Sequence, residues 1–337
     1  MMSPLRKAAA LVCFSLPFGP FTGCGEKAPP ADSAGSGSGS GGDSGGDSGE
    51  ADPATVALSG ACPQEADRGG FLVSVSDDAS SVGGSVADGV VPTSVLEPIA
   101  SAGDCTLLRR DNPFCDPACD PGETCDRSGA CVPYPSNQDL GAVSLAGLSE
   151  DLTMEPVFPG NTYFDTTLAH PAFTGGELIT LSMPGGVYGP ATLHGVGVEA
   201  LDATGLAWVL QEGLDTVITW PAPSAPAARS EVAVTISIDQ HGVTPSTLRC
   251  VFEDDGEGTV PASVVDAMLA AGVTGFPAGA LERRTADSAA AGEGCMDLIV
   301  AFPRVIPVDV IGYTPCLSDA ECPDGQTCNE ALQICES

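Results

Sequence analysis

The sequence predicts an all-β fold: an antiparallel β-sandwich-like domain with one small helix, joined to small disulfide-stapled modules and preceded by a disordered N-terminal tether. Three observations predict it. Between residues 135 and 314 the apolar residues mostly recur at a period of two, the spacing that sends alternate side chains to opposite faces of a strand. The cysteines fall in even groups, two of them four-membered. Residues 36–50 are Gly, Ser and acidic residues with no bulky apolar side chain, so they have nothing with which to bury a core.

The strands follow in order. Leu178–Met183, Leu206–Leu210, Asp215–Trp220, Glu231–Asp239, Thr247–Phe252 and Met296–Phe302 read as strands separated by Gly, Pro and Asp clusters. In Glu231–Asp239 the residues Val232, Val234, Ile236 and Ile238 alternate with Ala233, Thr235 and Ser237, the mark of a half-buried strand. One helix is expected over Pro261–Ala271, with Thr259 as N-cap and Val264, Val265, Met268 and Leu269 as its apolar face. Cys250 and Cys295 are expected to bridge this domain. Residues 61–110 contain Cys62, Cys105 and a strand-like Phe71–Val75, and are read either as a small β unit or as added strands of the sandwich.

The four-cysteine groups, Cys115, Cys119, Cys125 and Cys131, and Cys316, Cys322, Cys328 and Cys335, resemble each other: Pro-Gly-Glu-Thr precedes Cys125 and Pro-Asp-Gly-Gln-Thr precedes Cys328. Each spans about 20 residues, too few for a hydrophobic core, so a staple is required. In an exported chain that staple is disulfide. Zinc is disfavoured because there is no Cys-x2-Cys pair and no nearby histidine. Four cysteines allow three pairings, and spacing does not choose among them. Cys316 to Cys328 resembles the Dickkopf N-terminal cysteine-rich pattern and, more loosely, EGF-like modules; the resemblance implies a disulfide knot and no activity.

Arg6 and Lys7 followed by the mostly apolar Ala8–Phe21 form an export signal too short to span a membrane. Phe21-Thr22-Gly23-Cys24 then resembles the lipobox of bacterial lipoproteins, with small residues before the cysteine and Phe in place of the usual Leu. The resemblance implies lipidation at Cys24, acyl chains holding the protein at a membrane, and, from Gly25 rather than Asp, the outer membrane or cell surface. Parity agrees: of 14 cysteines, Cys13 leaves with the signal and Cys24 takes lipid, so an even twelve remain.

The domain organisation expected is therefore a signal peptide over 1–23, a lipidated cysteine and tether over 24–60, a small β unit over 61–110, a cysteine module over 111–134, the sandwich-like domain over 135–314 and a second module over 315–337. The whole order resembles cysteine-rich surface lipoproteins of myxobacterial type, a resemblance that implies display at the surface and brings no activity.

Chemistry is sparse. With 12 Lys and Arg against 45 acidic residues and a formal net charge of −33, nucleic-acid binding is not expected. Arg283-Arg284 reads as a solvated or ion-paired couple. No lysine follows Lys27, which removes Schiff-base, Ser-Lys and phosphate-loop chemistry from the folded part. Gly42-Asp43-Ser44-Gly45-Gly46 matches a hydrolase elbow pattern but lacks the strand and helix an elbow needs. The histidines, His170, His194 and His241, are isolated; Asp239 and His241, with a serine such as Ser246, are the sole imitation of a triad, without an oxyanion hole. Glu253-Asp254-Asp255-Gly256-Glu257 lacks calcium-loop spacing. Trp208 and Trp220, if exposed near Tyr188, would stack on sugars; core packing is the better use in a chain with 5% aromatics. No cofactor, metal or catalytic residue is expected. The function expected is a non-catalytic binding, adhesion or envelope-structural role with a protein or glycan ligand; an extracytoplasmic hydrolase or carbohydrate-binding protein is the alternative.

Overall fold

The computed structural model describes residues 52–224, 229–238 and 245–337; Cys24, most of the tether, Asp239 and His241 lie outside them. In chain order the strands are β1 (Asp67–Val75), β2 (Ser80–Val86), β3 (Leu96–Ala102), β4 (Cys105–Arg110), β5 (Glu123–Cys125), β6 (Cys131–Pro133), β7 (Val143–Ala146), β8 (Leu152–Met154), β9 (Tyr163–Asp165) and β10 (Leu178–Met183). They continue as β11 (Ala191–Val196), β12 (Trp208–Leu210), β13 (Thr216–Thr219), β14 (Glu231–Ser237), β15 (Ser246–Glu253), β16 (Glu257–Val260), β17 (Ala278–Ala291), β18 (Gly294–Val310), β19 (Thr327–Asn329) and β20 (Ile334–Glu336), with helix α1 (Ala262–Ala270) between β16 and β17.

The protein is mostly β, in several sheets. A ten-stranded sheet has the order β3-β4-β15-β14-β17-β18-β1-β2-β9, with β12 also paired to β18. A second sheet runs β11-β10-β7-β8. All pairings are antiparallel except those of β18 with β1 and with β12, so the large sheet is mixed. Residues 61–110 contribute strands to two places in it, β1 and β2 beside β18, and β3 and β4 beside β15.

Alternation works as the sequence suggests in β14, where Val232, Val234 and Ile236 are buried and Ala233, Thr235 and Ser237 are half-exposed. It fails in β17, which has no strand-like reading: Ala278-Gly-Ala-Leu-Glu-Arg-Arg-Thr-Ala-Asp-Ser-Ala-Ala-Ala is poor in β-branched residues. Yet it pairs with β14 on one side and with β18 along its whole length on the other. Its buried positions include Arg283, Thr285 and Asp287, polar groups where a core strand would carry apolar ones.

Those polar residues join the two sheets. The Thr285 hydroxyl accepts from the Val196 N–H at 3.0 Å and donates to the Val196 carbonyl at 2.9 Å, and an Asp287 oxygen accepts from the His194 N–H at 2.9 Å. The edge of β11 that faces away from β10 is thus closed by side chains instead of by another strand. Gly195 permits the approach: a Cβ there would lie 2.4 Å from Cγ2 of Val300. Gly195→Ala is expected to cost about 1–3 kcal/mol by overpacking, and an unchanged urea midpoint would refute the tight seam.

Helix α1 starts one residue later than expected and buries Val264, Val265 and Met268. Thr259 is not its cap, because it belongs to β16; instead Asp215 accepts the Ala262 N–H at 2.7 Å. An acidic oxygen on the helix N-terminus satisfies a donor left free there.

The expected Cys250–Cys295 bridge is not formed. β15 and β18 stand three strand spacings apart, roughly 14 Å, beyond disulfide reach. Cys250 instead bonds Cys105, its direct neighbour on β4, and Cys295 bonds Cys62. Both small modules join their first cysteine to the third and the second to the fourth: Cys115–Cys125 with Cys119–Cys131, and Cys316–Cys328 with Cys322–Cys335. In each, the third and fourth cysteines face each other across a two-stranded hairpin, β5–β6 or β19–β20. The resemblance between the two sequences is a resemblance in structure as well.

Candidate functional site

The outward face of the second sheet follows from period two. Val143, Leu145, Ile179, Leu181, Met183 and Leu193 point into the core, which leaves Ser144, Thr180, Ser182, Thr192 and His194 on the other side. Pairing aligns them: Thr153 stands opposite Ser144, Ser144 opposite Ser182, and Ser182 opposite Thr192. The result is a row of four hydroxyl side chains across four strands. A depression of 490 Å3 opens over three of them, Ser144, Ser182 and Thr192, and is otherwise lined by Ala142, Met183, Pro184, Pro190 and Ala191, with no charged side chain. The prolines sit just beyond the ends of β10 and β11, where a missing N–H costs the ladder nothing. The connecting segment is held in place, since the Gly185 N–H donates to the Leu140 carbonyl at 2.9 Å and the Tyr188 hydroxyl to the Ala87 carbonyl at 2.6 Å.

Those residues singled out in the sequence that the structure describes do not gather there. Asp239 and His241 lie outside the described residues, and Ser246 is buried, 2% exposed, on β15. Trp208 and Trp220 are both buried, Trp220 stacked on Phe252 with ring centroids 6.0 Å apart, so neither presents a ring to a sugar. His194 contacts Thr180 through Nδ1 at 3.2 Å.

A serine–histidine contact that the sequence does not reveal joins residues 90 positions apart. Ser80 Oγ lies 3.0 Å from His170 Nδ1, and His170 Nε2 lies 3.1 Å from the Asp77 carbonyl. The Asp77 carbonyl can only accept, so in the neutral ring Nε2 carries the proton and Nδ1 accepts from the Ser80 hydroxyl, whose oxygen also accepts the Ala172 N–H at 3.0 Å. Ser80 is only 6% exposed; the contact ties the β1–β2 turn to residues 170–172.

The acidic run and Arg283 form one buried cluster. Asp254 accepts from Arg283 Nε at 2.7 Å, Arg283 Nη2 at 3.0 Å, Trp220 Nε1 at 2.8 Å and the Ser230 hydroxyl at 2.6 Å. Arg283 also donates to the carbonyls of Pro221, Glu199 and Ala200. With side chains 1% and 3% exposed, the pair is a structural counter-ion arrangement, and the Asp254 oxygens are taken up by protein donors rather than directed at a cation.

A second acidic cluster fastens the segment ahead of β1. The Ser59 N–H donates to Asp287 at 2.8 Å and the Cys62 N–H to Asp297 at 2.9 Å, beside the Cys62–Cys295 bridge. Burial pushes the Asp297 carboxyl up to about 6, with the negative charges of Asp67 and Asp287 adding to it and the Cys62 N–H and Arg284 opposing. A folded value above the unfolded 3.8 means that ionising Asp297 costs stability, a cost absent well below 3.8, growing from there upward and complete once the pH has passed 6. Asp297→Asn should therefore raise Tm at pH 8 by a few degrees, with the gain shrinking toward pH 4. A difference that stays constant over that range would contradict the assignment. The Cys62, Asp67 and Asp297 ligand atoms also lie close enough for a metal, but the Cys62 sulfur is consumed by its disulfide.

No helix among the described residues is long and apolar enough to cross a membrane. No protein-family model matches the chain, and no curated protein matches it. Among solved structures it is similar, at 13% identity over 73% of its length, to a Ca2+-stabilized adhesin that helps an Antarctic bacterium reach out and bind ice, with a TM-score of 0.18; the chain spans half, 50%, of that protein. It is also similar, at 7% identity over 66% of its length and 71% of the other chain, to the FN1–FN3 domains of chicken CNTN1, with a TM-score of 0.16. At these TM-scores neither neighbour defines the fold.

Proposed function

We propose that the protein is a surface lipoprotein, anchored through acyl chains on Cys24, whose folded body binds a partner without catalysing a reaction on it. The observation that carries the reading is the uncharged, hydroxyl-lined depression on the outward face of the second sheet, set in a body stapled by disulfides. A stiff body with a preformed concavity suits binding, because little freedom is lost when a ligand settles. The lipobox resemblance, the acidic Gly/Ser tether and the cysteine parity support display outside the cytoplasm, at the outer membrane or cell surface.

Two measurements test this. Mass spectrometry of the mature N-terminus is expected to find Cys24 acylated, and an unmodified Cys24 or another start would refute the anchor. Cells lacking the chain are expected to adhere less to surfaces and to one another, with adhesion restored by the Asp239→Ala/His241→Ala protein. Rescue that fails only with this variant would favour the hydrolase reading.

A further inference from the structure

We infer that the depression between Pro184 and Pro190 is a binding site for a neutral saccharide chain lying across the strands of the second sheet. The inference rests on the binding reading above and names the ligand class of that site. Four features carry it. Within the depression the hydroxyl row Ser144–Ser182–Thr192 crosses three strands in register, a span of roughly 10 Å from the usual strand spacing. The hydroxyls of Ser182 and Thr192 make no hydrogen bond to another described residue, whereas Ser144 Oγ makes one long contact of 3.4 Å to the Ser182 carbonyl. Each free hydroxyl offers a donor and an acceptor, which matches the dual character of sugar hydroxyls.

Charge then selects among ligands. The chain carries −33 overall, yet the lining has no charged group and no cation to receive an anion. A phosphate, sulfate or uronate ligand would be repelled by the surrounding field without compensation. Peptide partners usually rely on buried aromatic or Arg anchors, and the small floor of Ala142, Ser144 and Ser182 offers no deep pocket for one. A sugar ring instead presents hydroxyls at its rim and C–H groups on its faces. The hydroxyls would meet the row, and the C–H faces would rest on the rings of Pro184 and Pro190.

The test is calorimetric titration of the full chain with neutral hexose oligosaccharides of differing linkage, set against a polyuronate oligomer of equal length. Binding of a neutral oligosaccharide and none of the polyuronate is expected. The Ser182→Ala/Thr192→Ala variant, with unchanged Tm, should weaken binding about tenfold or more through the lost hydrogen bonds. Ser144→Trp, which fills the floor, should abolish it. Binding unaffected by both variants, equal binding of the polyuronate, or no oligosaccharide bound would overturn the inference. If cells lacking the chain still lose adhesion in that last case, the ligand class alone is wrong; if their adhesion is intact, the binding reading fails with it.

Discussion

Arg283→Met is expected to destabilise the folded body by about 3–5 kcal/mol, the cost of leaving a buried charge without its partner, read from urea unfolding at pH 7. The Asp254 carboxylate would keep Trp220 and Ser230 as donors but lose both guanidinium bonds in a site almost closed to water. The carbonyls of Pro221, Glu199 and Ala200 would lose donors as well. Removing both charges, as in Arg283→Met/Asp254→Leu, should recover part of the loss, since an apolar pair of similar volume carries no desolvation penalty. Recovery should be incomplete, because the indole N–H of Trp220 and the Ser230 hydroxyl are then stranded. A single variant within about 1 kcal/mol of wild type, well below the range for a broken buried pair, would show that the cluster is hydrated in solution.

Replacing Cys62 and Cys295 together by Ala should cost about 4–5 kcal/mol in the chain-entropy account of cross-links. The two cysteines are 233 residues apart, but the Cys105–Cys250 bridge already shortens the unfolded loop to roughly 90 residues, and the figure uses the shorter path. Each module bridge, closing 10 to 13 residues, contributes about 3 kcal/mol by the same account. Its loss should unravel the module while the sheets persist. Guanidinium unfolding of the two classes of variant distinguishes them: the Cys62/Cys295 change should move the main transition, and the Cys119/Cys131 change should leave it in place. The Cys62/Cys295 variant should also be cut by protease ahead of β1, since only the Asp287 and Asp297 hydrogen bonds would still hold residues 59–62.

The legible parts of the fold are those that local pattern determines. β10 and β14 alternate because one face of each is buried, and the six residues of β10 run from Leu178 to Met183 as the sequence suggests. The helix is marked by its apolar face, although its cap arrives from Asp215, 47 residues earlier. β17 was not legible for a specific reason. Its inward side chains serve as hydrogen-bonding partners, Arg283 for Asp254 and Thr285 and Asp287 for the edge of β11, so the strand at the junction of the two sheets has the composition of a loop. The hydroxyl row was equally hidden, because Thr153, Ser144, Ser182 and Thr192 become neighbours through cross-strand register alone.

By itself the sequence determined the β class, the even grouping of the cysteines, the repeat of the two small modules and the acidic, lysine-free character of the folded part. These depend on composition and on spacings of a few residues, which act locally. Only the tertiary structure decided which cysteines pair, where the strands of residues 61–110 lie, that Asp254 is a counter-ion, and that Ser144, Ser182 and Thr192 from separate strands meet beside two prolines. Each of these joins residues far apart in the chain, and the register that aligns them is selected by burying one face of every strand at once.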